Sequence, residues 1–499
     1  MGFPKEQRNI KGMGIEQADG MSYAFDGTLV SANNQTVVID CRVWPPLVSG
    51  DVARIELSVP NALMPLPEIL NPCRINGQPS AGVVEVWLDD VWYRHMPQDR
   101  QPRRHAGSEP IALTHISKLR MTTRFNKPSE NAGPRRHEKS VKFYLTSNAF
   151  LADGAWLSAL SKTPNCQTNE LHVVDIPQLG RARILREWVF ARSIASDNAV
   201  VKSGFCAIVE LGDGATQTTE EYLSHFEDAL MVISIFCRQR IAVLGWEVEY
   251  DDRLEQVWKN PLEPLTTQYL PYEPHDYLVD QRSFALLTSA ATKELAALDP
   301  NIKDIFTHMT LGLTPFINLQ TSERFLSMFH ALEACRVLAP EDTEDAESKE
   351  AKEDNAALKQ RLEVAKQGVK TSIAKRIDGL IKKVGEPTLR KQLESVLGKT
   401  KWNVKTNDLW PLSGPDNLPG LKQVRDKLAH SGPKALHMQG LAVATWHLSI
   451  LLERVLLTLL KIPIADTSAA PNRLMREPWY QPAYLRQQRE LVIKADGGQ

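Results

Sequence analysis

The stretch Thr218-Thr219-Glu220-Glu221-Tyr222-Leu223-Ser224-His225-Phe226-Glu227-Asp228-Ala229-Leu230 is where the chain changes its hydrophobic period. Thr218 and Glu221 have the spacing of a capping box, in which two side chains satisfy backbone N–H groups at a helix start. Tyr222, Phe226, Leu230, Ile233 and Cys237 then recur at helical spacing and mark one apolar face. Before this point the apolar residues alternate with a period of two, and after it helical spacing dominates.

Upstream, Ala53, Ile55, Leu57 and Val59 interleave with Arg54, Glu56 and Ser58. Val141, Phe143 and Leu145 interleave in the same way with Lys142, Tyr144 and Thr146, so both segments predict strands with one buried face. Residues 84–92, 171–176 and 203–211 have the same character, and Gly, Pro, Asn and Asp clusters separate them. The pattern predicts a β-rich domain over residues 1–214, arranged as a sandwich. Within it, residues 94–142 are basic, and Pro102-Arg103-Arg104-His105 recurs as Pro134-Arg135-Arg136-His137. This stretch reads as a charged loop, or as a surface whose arginines clamp phosphates or acidic partners.

Downstream, residues 215–300 form a mixed α/β connecting region with one strand at 244–250 and a proline-rich connector at 261–274, where a domain boundary is expected. Helices account for the rest. Phe325, Phe329 and Leu332 mark a core helix over 322–338, and the acidic run 341–354 reads as solvated or disordered. A Lys/Arg-rich helix over 358–384, a shorter one over 388–397 and a long one over 434–460 follow. The predicted fold class is α+β: a β-rich N-terminal domain, then an all-α bundle of four or five helices over 301–465 and a tail over 466–499.

A length of 499 residues with 42% hydrophobic content suffices for two to four domains. A formal net charge of -1 excludes a general polycation, so nucleic-acid binding has to come from local patches. Cys41, Cys73, Cys166, Cys206, Cys237 and Cys335 are scattered singly, a pattern of reduced thiols rather than structural zinc. Residues 1–6 lack the apolar stretch of a secretion signal, and the most apolar segment, 448–460, contains Glu453 and Arg454. The expectation is a cytoplasmic protein with no membrane span. Gly398-Lys399-Thr400 has the ending of a phosphate-binding loop, but Leu393 stands where its first glycine is required, so no nucleotide cofactor is expected, and no metal.

The chemistry-bearing candidate is Arg425-Asp426-Lys427-Leu428-Ala429-His430, set between Pro419-Gly420 and Ser431-Gly432-Pro433. Arginine offers a permanent planar charge that fits a phosphate, and histidine can move protons near neutral pH. Arg100 and His105 share the spacing, but Pro102 lies between them in a loop-like region. The motif instead closes a short helix, on which an ideal turn places Arg425 and His430 about 140° apart. Unless it carries chemistry, the pair is a helix-end histidine bonded to backbone and an arginine matched with a nearby acid. His437 and His447, on the following helix, read as structural or surface residues.

Arg425-Asp426-x-x-x-His430 resembles the Arg-polar-x3-His signature of HEPN domains, helical bundles that include many metal-independent ribonucleases. Glu323-Arg324-Phe325-Leu326-Ser327-Met328-Phe329-His330-Ala331-Leu332-Glu333 and Lys375-Arg376-Ile377-Asp378-Gly379-Leu380-Ile381 extend the likeness to the ApeA-like branch, over residues 305–462. The resemblance implies a homodimer with two facing motifs, and a variable N-terminal domain used in abortive infection against phage. Many HEPN nucleases carry Glu-x3-Lys/Arg on an earlier helix; here Val337 stands four positions after Glu333, which leaves Glu333 a core-edge or salt-bridging role.

Metal-free RNA cleavage needs a base for the 2′-hydroxyl proton, an acid for the leaving 5′-oxygen and positive charge on the phosphorane. His430 suits either proton transfer, Arg425 the charge, and Asp426 can orient Arg425 or accept a hydrogen bond from a facing protomer. Lys422 and Lys427 are candidates for holding the RNA backbone. The resulting expectation is an endoribonuclease acting on tRNA or another structured RNA, released when the N-terminal domain senses a phage protein. The alternative is a noncatalytic helical scaffold whose N-terminal domain binds a protein or nucleic-acid partner.

Overall fold

The computed structural model describes residues 23–31, 33–46, 53–60, 72–79, 84–95, 108–124, 140–146, 167–192, 199–210, 219–250, 253–260, 277–315, 319–338, 349–384, 389–398, 402–414 and 417–493. The fold is α+β, with an antiparallel β region followed by a helical region. Two compact units divide the chain: Met1–Tyr269 with Asp280–Ala296, and Leu270–Val279 with Ala297–Gln499. Thr218, both Pro-Arg-Arg-His segments, the Arg100/His105 pair and the connector 261–274 lie outside the described residues.

In the first unit, thirteen antiparallel strands among the described residues form one sheet. They are β1 (Tyr23–Ser31), β2 (Thr36–Trp44), β3 (Arg54–Pro60), β4 (Cys73–Gly77), β5 (Val84–His95), β6 (Ser108–His115) and β7 (Lys118–Arg124), then β8 (Ser140–Leu145), β9 (Gln167–Ile176), β10 (Gly180–Arg192), β11 (Ala199–Glu210), β12 (Val243–Glu249) and β13 (Arg253–Lys259). The order β4-β1-β2-β3-β6-β5 closes into a ring because β4 also pairs with β5. The sheet then runs on as β7-β13-β12-β8-β11-β10-β9.

This is not the sandwich that the alternation predicts. Strand β5 is long enough to serve three neighbours: residues 84–89 pair with β7, residues 86–91 with β4 and residues 92–95 with β6. Its edges are therefore used within one closing sheet rather than in a second layer. Alternate residues such as Leu29, Ile39, Val43, Ile75, Val86 and Leu88 fill the ring, each fully buried. Part of the basic stretch expected as a loop is strand, since β6 and β7 fall within it.

Helices α1 (Thr219–Phe236) and α2 (Gln281–Ala296) also belong to the first unit. The apolar face read from the sequence is buried, and Phe226 stacks on Phe143 of β8 at 4.4 Å. On the alternate positions of β8, Lys142 pairs with Glu187 at 2.7 Å and the Tyr144 hydroxyl donates to Glu247 at 2.7 Å. Cys41, Cys73, Cys206, Cys237 and Cys335 are buried free thiols; burial pushes those of Cys41, Cys73 and Cys335 up to about 12. Cys166 lies outside the described residues.

Nine helices make up the second unit among the described residues: α3 (Pro300–Leu313), α4 (Thr321–Ala334), α5 (Lys349–Lys366), α6 (Thr371–Lys383), α7 (Leu389–Leu397), α8 (Leu421–Ser431), α9 (Met438–Leu459), α10 (Pro471–Leu474) and α11 (Pro482–Val492). The helix expected over 358–384 is two helices, because Gly368 takes a left-handed φ of +84° between them. Helix α5 starts within the acidic run, and its Glu353 and Asp354 are exposed. The last long helix starts at Met438 rather than 434, where the His437 side chain accepts from the Gly440 N–H.

Helix α9 is the axis of the unit, and α3, α4, α8 and α11 pack on it. It is long and apolar enough to cross a membrane on composition, yet it is buried within the unit, Glu453 and Arg454 included. The fully buried Arg454 forks onto both oxygens of Asp408 at 2.7 Å and donates to the carbonyls of Lys405 and Ala469. His447, on the same helix, accepts from the Trp410 N–H at 3.2 Å and faces the Trp479 carbonyl through Nε2 at 3.3 Å. This makes His447 a structural residue that requires the neutral ring, with its proton on Nε2.

Burial pushes His447 down to about 4, against the pull of the Trp479 carbonyl and Asp408. Its folded value lies below the unfolded one near 6.5, so its stabilisation is present above about pH 6.5 and is lost as the pH falls toward 4. Linkage puts the loss at about 3 kcal/mol. Urea unfolding followed at helical signal is therefore predicted to show a pH-dependent midpoint across this window in the wild type, and a smaller dependence in His447→Gln.

Candidate functional site

Helix α8 owes its ends to local sequence. The Gln423 side chain accepts from the Gly420 N–H at 3.0 Å, and Gly420 packs so tightly that an added Cβ would lie 2.5 Å from Ser413 Cα. At the other end Gly432 adopts φ +73° and donates to Leu428, and Pro433 follows. The starter and stopper predicted from Pro419-Gly420 and Gly432-Pro433 are thus the actual helix bounds.

Its approach loop is fixed both from within and by residues distant in sequence. The Trp410 indole donates to the Pro419 carbonyl at 2.9 Å, and Arg489 of α11 donates to the carbonyls of Pro419 and Leu418 at 3.2 Å each. Arg454 holds Asp408 at the start of the same loop, and the Tyr480 hydroxyl bonds to that carboxylate as well. Helix α8 is therefore presented by a rigid frame, as a precise site requires.

Leu421, Val424 and Leu428 form its buried face. On an ideal turn of about 100° per residue, Arg425 falls at the edge of that face, Lys422, Asp426 and His430 line up as a solvent-side stripe, and Lys427 takes the opposite edge. The contacts agree. Arg425 reaches helix α4, where its Nη2 donates to Glu333 Oε1 at 2.5 Å and its guanidinium lies 5.8 Å from the Phe329 ring centre. Its Nη1 donates to Asp426 Oδ1 at 2.9 Å, and Lys422 donates to Asp426 Oδ2 at 2.5 Å. Burial raises the Asp426 carboxyl, but hydrogen bonds from Lys422 and Arg425 outweigh it and hold the group below its ordinary value.

The structure thus joins Arg425, Asp426 and Lys422, and adds Glu333 and its neighbour His330, whose Nδ1 lies 3.7 Å from Glu333 Oε2. It does not join His430 to them: that ring is exposed in the last turn of α8 and has no hydrogen-bond or ion-pair partner among the described residues. Lys427 is half-buried. Glu333 has the salt-bridging role left to it by the Val337 departure. His330 stands outside the sequence motif, although its spacing of three from Glu333 places both on one helix face.

The arrangement provides a guanidinium oriented by two carboxylates and still partly open, with 31% of the side chain exposed. An oriented fork of this kind suits a phosphate. Among the described residues, no group of three or more His, Cys, Asp and Glu side chains lies together as a metal site. Comparisons with protein-family models, curated proteins and solved structures found no match.

Glu333 is buried to 13% exposure and faces Arg425 across 92 residues of sequence. A charged hydrogen bond of this kind contributes about 1–3 kcal/mol, so Glu333→Gln is expected to lower stability to urea by that amount. Combined with Arg425→Ala, the loss should be smaller than the sum of the two single losses. Simple additivity would show that the pair does not tie α4 to α8.

Proposed function

We propose that the protein is a metal-independent endoribonuclease of the HEPN kind, cleaving tRNA or another structured RNA in the cytoplasm as an abortive-infection response to phage. One observation carries this reading: α8 presents a carboxylate-oriented, partly open arginine and, a turn and a half later, a solvent-facing histidine with no partner among the described residues. These are the groups that phosphodiester transesterification needs, a cation for the phosphorane and a group that takes a proton.

The divergence of Arg425 and His430 on one helix supports a homodimer. In that arrangement the helical units of two copies face each other, and Arg425 of one meets His430 of the other. Asp426 keeps the arginine fork in plane with the phosphate, and Lys422 and Lys427 contact the RNA backbone. The N-terminal β-rich unit senses a phage protein and releases the activity. A scaffold reading draws on a different observation: Arg425 already has two carboxylate partners, which also suits a structural ion-pair cluster.

Mapping RNA 3′ ends by capture of cyclic phosphates, in phage-challenged cells carrying wild type or His430→Ala, separates the two. The nuclease reading predicts new 2′,3′-cyclic phosphate ends that vanish in His430→Ala, with loss of protection. Unchanged protection without new ends would establish the scaffold.

A further inference from the structure

Transesterification moves two protons, and His430 accounts for one. The side of α8 that holds Arg425 is the side facing α4, where another histidine lies. Glu333 uses its two carboxylate oxygens on different partners: Oε1 accepts from Arg425 at 2.5 Å, and Oε2 lies 3.7 Å from His330 Nδ1. The His330 side chain is 89% exposed, and with Nδ1 turned toward Glu333 its Nε2 has no partner among the described residues. In the folded chain, then, the histidine grouped with Arg425 is His330, through a shared carboxylate. His430 lies about 140° around the helix.

We propose that His330 is the second proton-transfer group of this site, the general acid that protonates the departing 5′-oxygen next to the phosphate held by Arg425. This rests on the ribonuclease reading above. Glu333 Oε2 lies on the Nδ1 side of the His330 ring, which leaves Nε2 as the nitrogen open to the substrate. In the step, His430 of a second copy takes the 2′-hydroxyl proton, and the 2′-oxygen forms its bond to phosphorus. The bond from phosphorus to the 5′-oxygen breaks, and the Nε2 proton of His330 passes to that oxygen. The products are a 2′,3′-cyclic phosphate and a 5′-hydroxyl, and both rings return to their starting states by exchange with water.

An acid is needed only when the leaving group is poor. The test is cleavage by the full-length protein purified from phage-challenged cells, in which its activity is released, of a short RNA spanning the mapped cleavage position, made with either the natural 5′-oxygen or a bridging 5′-sulfur, a far better leaving group. His330→Ala is expected to lose about 10²- to 10⁴-fold on the oxygen RNA and to recover to near wild-type rate on the sulfur RNA, while His430→Ala stays slow on both. His330 is exposed, so its truncation leaves the fold intact, and an unchanged melting temperature checks this. If His330→Ala cleaves the oxygen RNA at wild-type rate, or is equally slow on both RNAs, the acid role is overturned while the nuclease stands. If wild type cleaves neither RNA, or if Arg425→Ala and His430→Ala cleave both as wild type does, the nuclease reading itself falls.

Discussion

The ion pair between Arg425 and Glu333 ties the last turns of α4 to the middle of α8 and sets the direction of the guanidinium. Without it, Arg425 would be one more long side chain at a helix edge, costing rotamer entropy whenever it met a ligand. With it, the fork is pre-aimed, and Asp426 fixes its second edge. The same pair decides what clusters with the arginine. His330 lies three positions before Glu333 on the same helix and shares its face, whereas His430 makes no hydrogen bond or ion pair with the cluster among the described residues.

Such an ion pair works only if both helices are held in place. For α4, the core side chains Phe325, Met328, Phe329 and Leu332 do this, all at most 1% exposed. For α8, the approach loop does so, braced within itself by Trp410 and fastened by Arg454, Tyr480 and Arg489 from three other parts of the unit. Burying Arg454 is costly and is offset only because Asp408 takes both sides of its fork. His447 contributes under the same constraint, since its two ring nitrogens are committed to Trp410 and Trp479 and protonation would break the first of these bonds.

Period and punctuation made the helical unit legible. Phe325, Phe329 and Leu332 identified α4, and Pro419-Gly420 with Gly432-Pro433 gave both ends of α8, because caps and breakers act within a few residues. Gly368 was a break visible in the sequence, but the Lys/Arg-rich pattern around it ran on at helical spacing and hid the division of 358–384. In the β region the alternation at Ala53–Val59 and Val141–Leu145 identified β3 and β8, whereas the ring did not show. Closure depends on β5 serving three partners, a matter of register between residues far apart in sequence. The site divides along the same line. Arg425, Asp426 and Lys422 are neighbours on one helix and could be read together; that Glu333 lies against Arg425 and carries His330 with it is a tertiary fact, spanning 92 residues.

The central claim is that the Arg425 fork serves phosphodiester chemistry and not only the packing of α8. Its most direct measurement is the 3′-end chemistry of RNA incubated in excess chelator with the full-length protein purified from phage-challenged cells, wild type beside Arg425→Lys, which keeps the charge and loses the fork. The predicted result is 2′,3′-cyclic phosphate ends from wild type and a loss of at least about 10²-fold, as for a removed transition-state donor, in a folded Arg425→Lys variant. Cleavage that leaves 3′-hydroxyl ends, requires added Mg²⁺ or proceeds undiminished with lysine at 425 would contradict it.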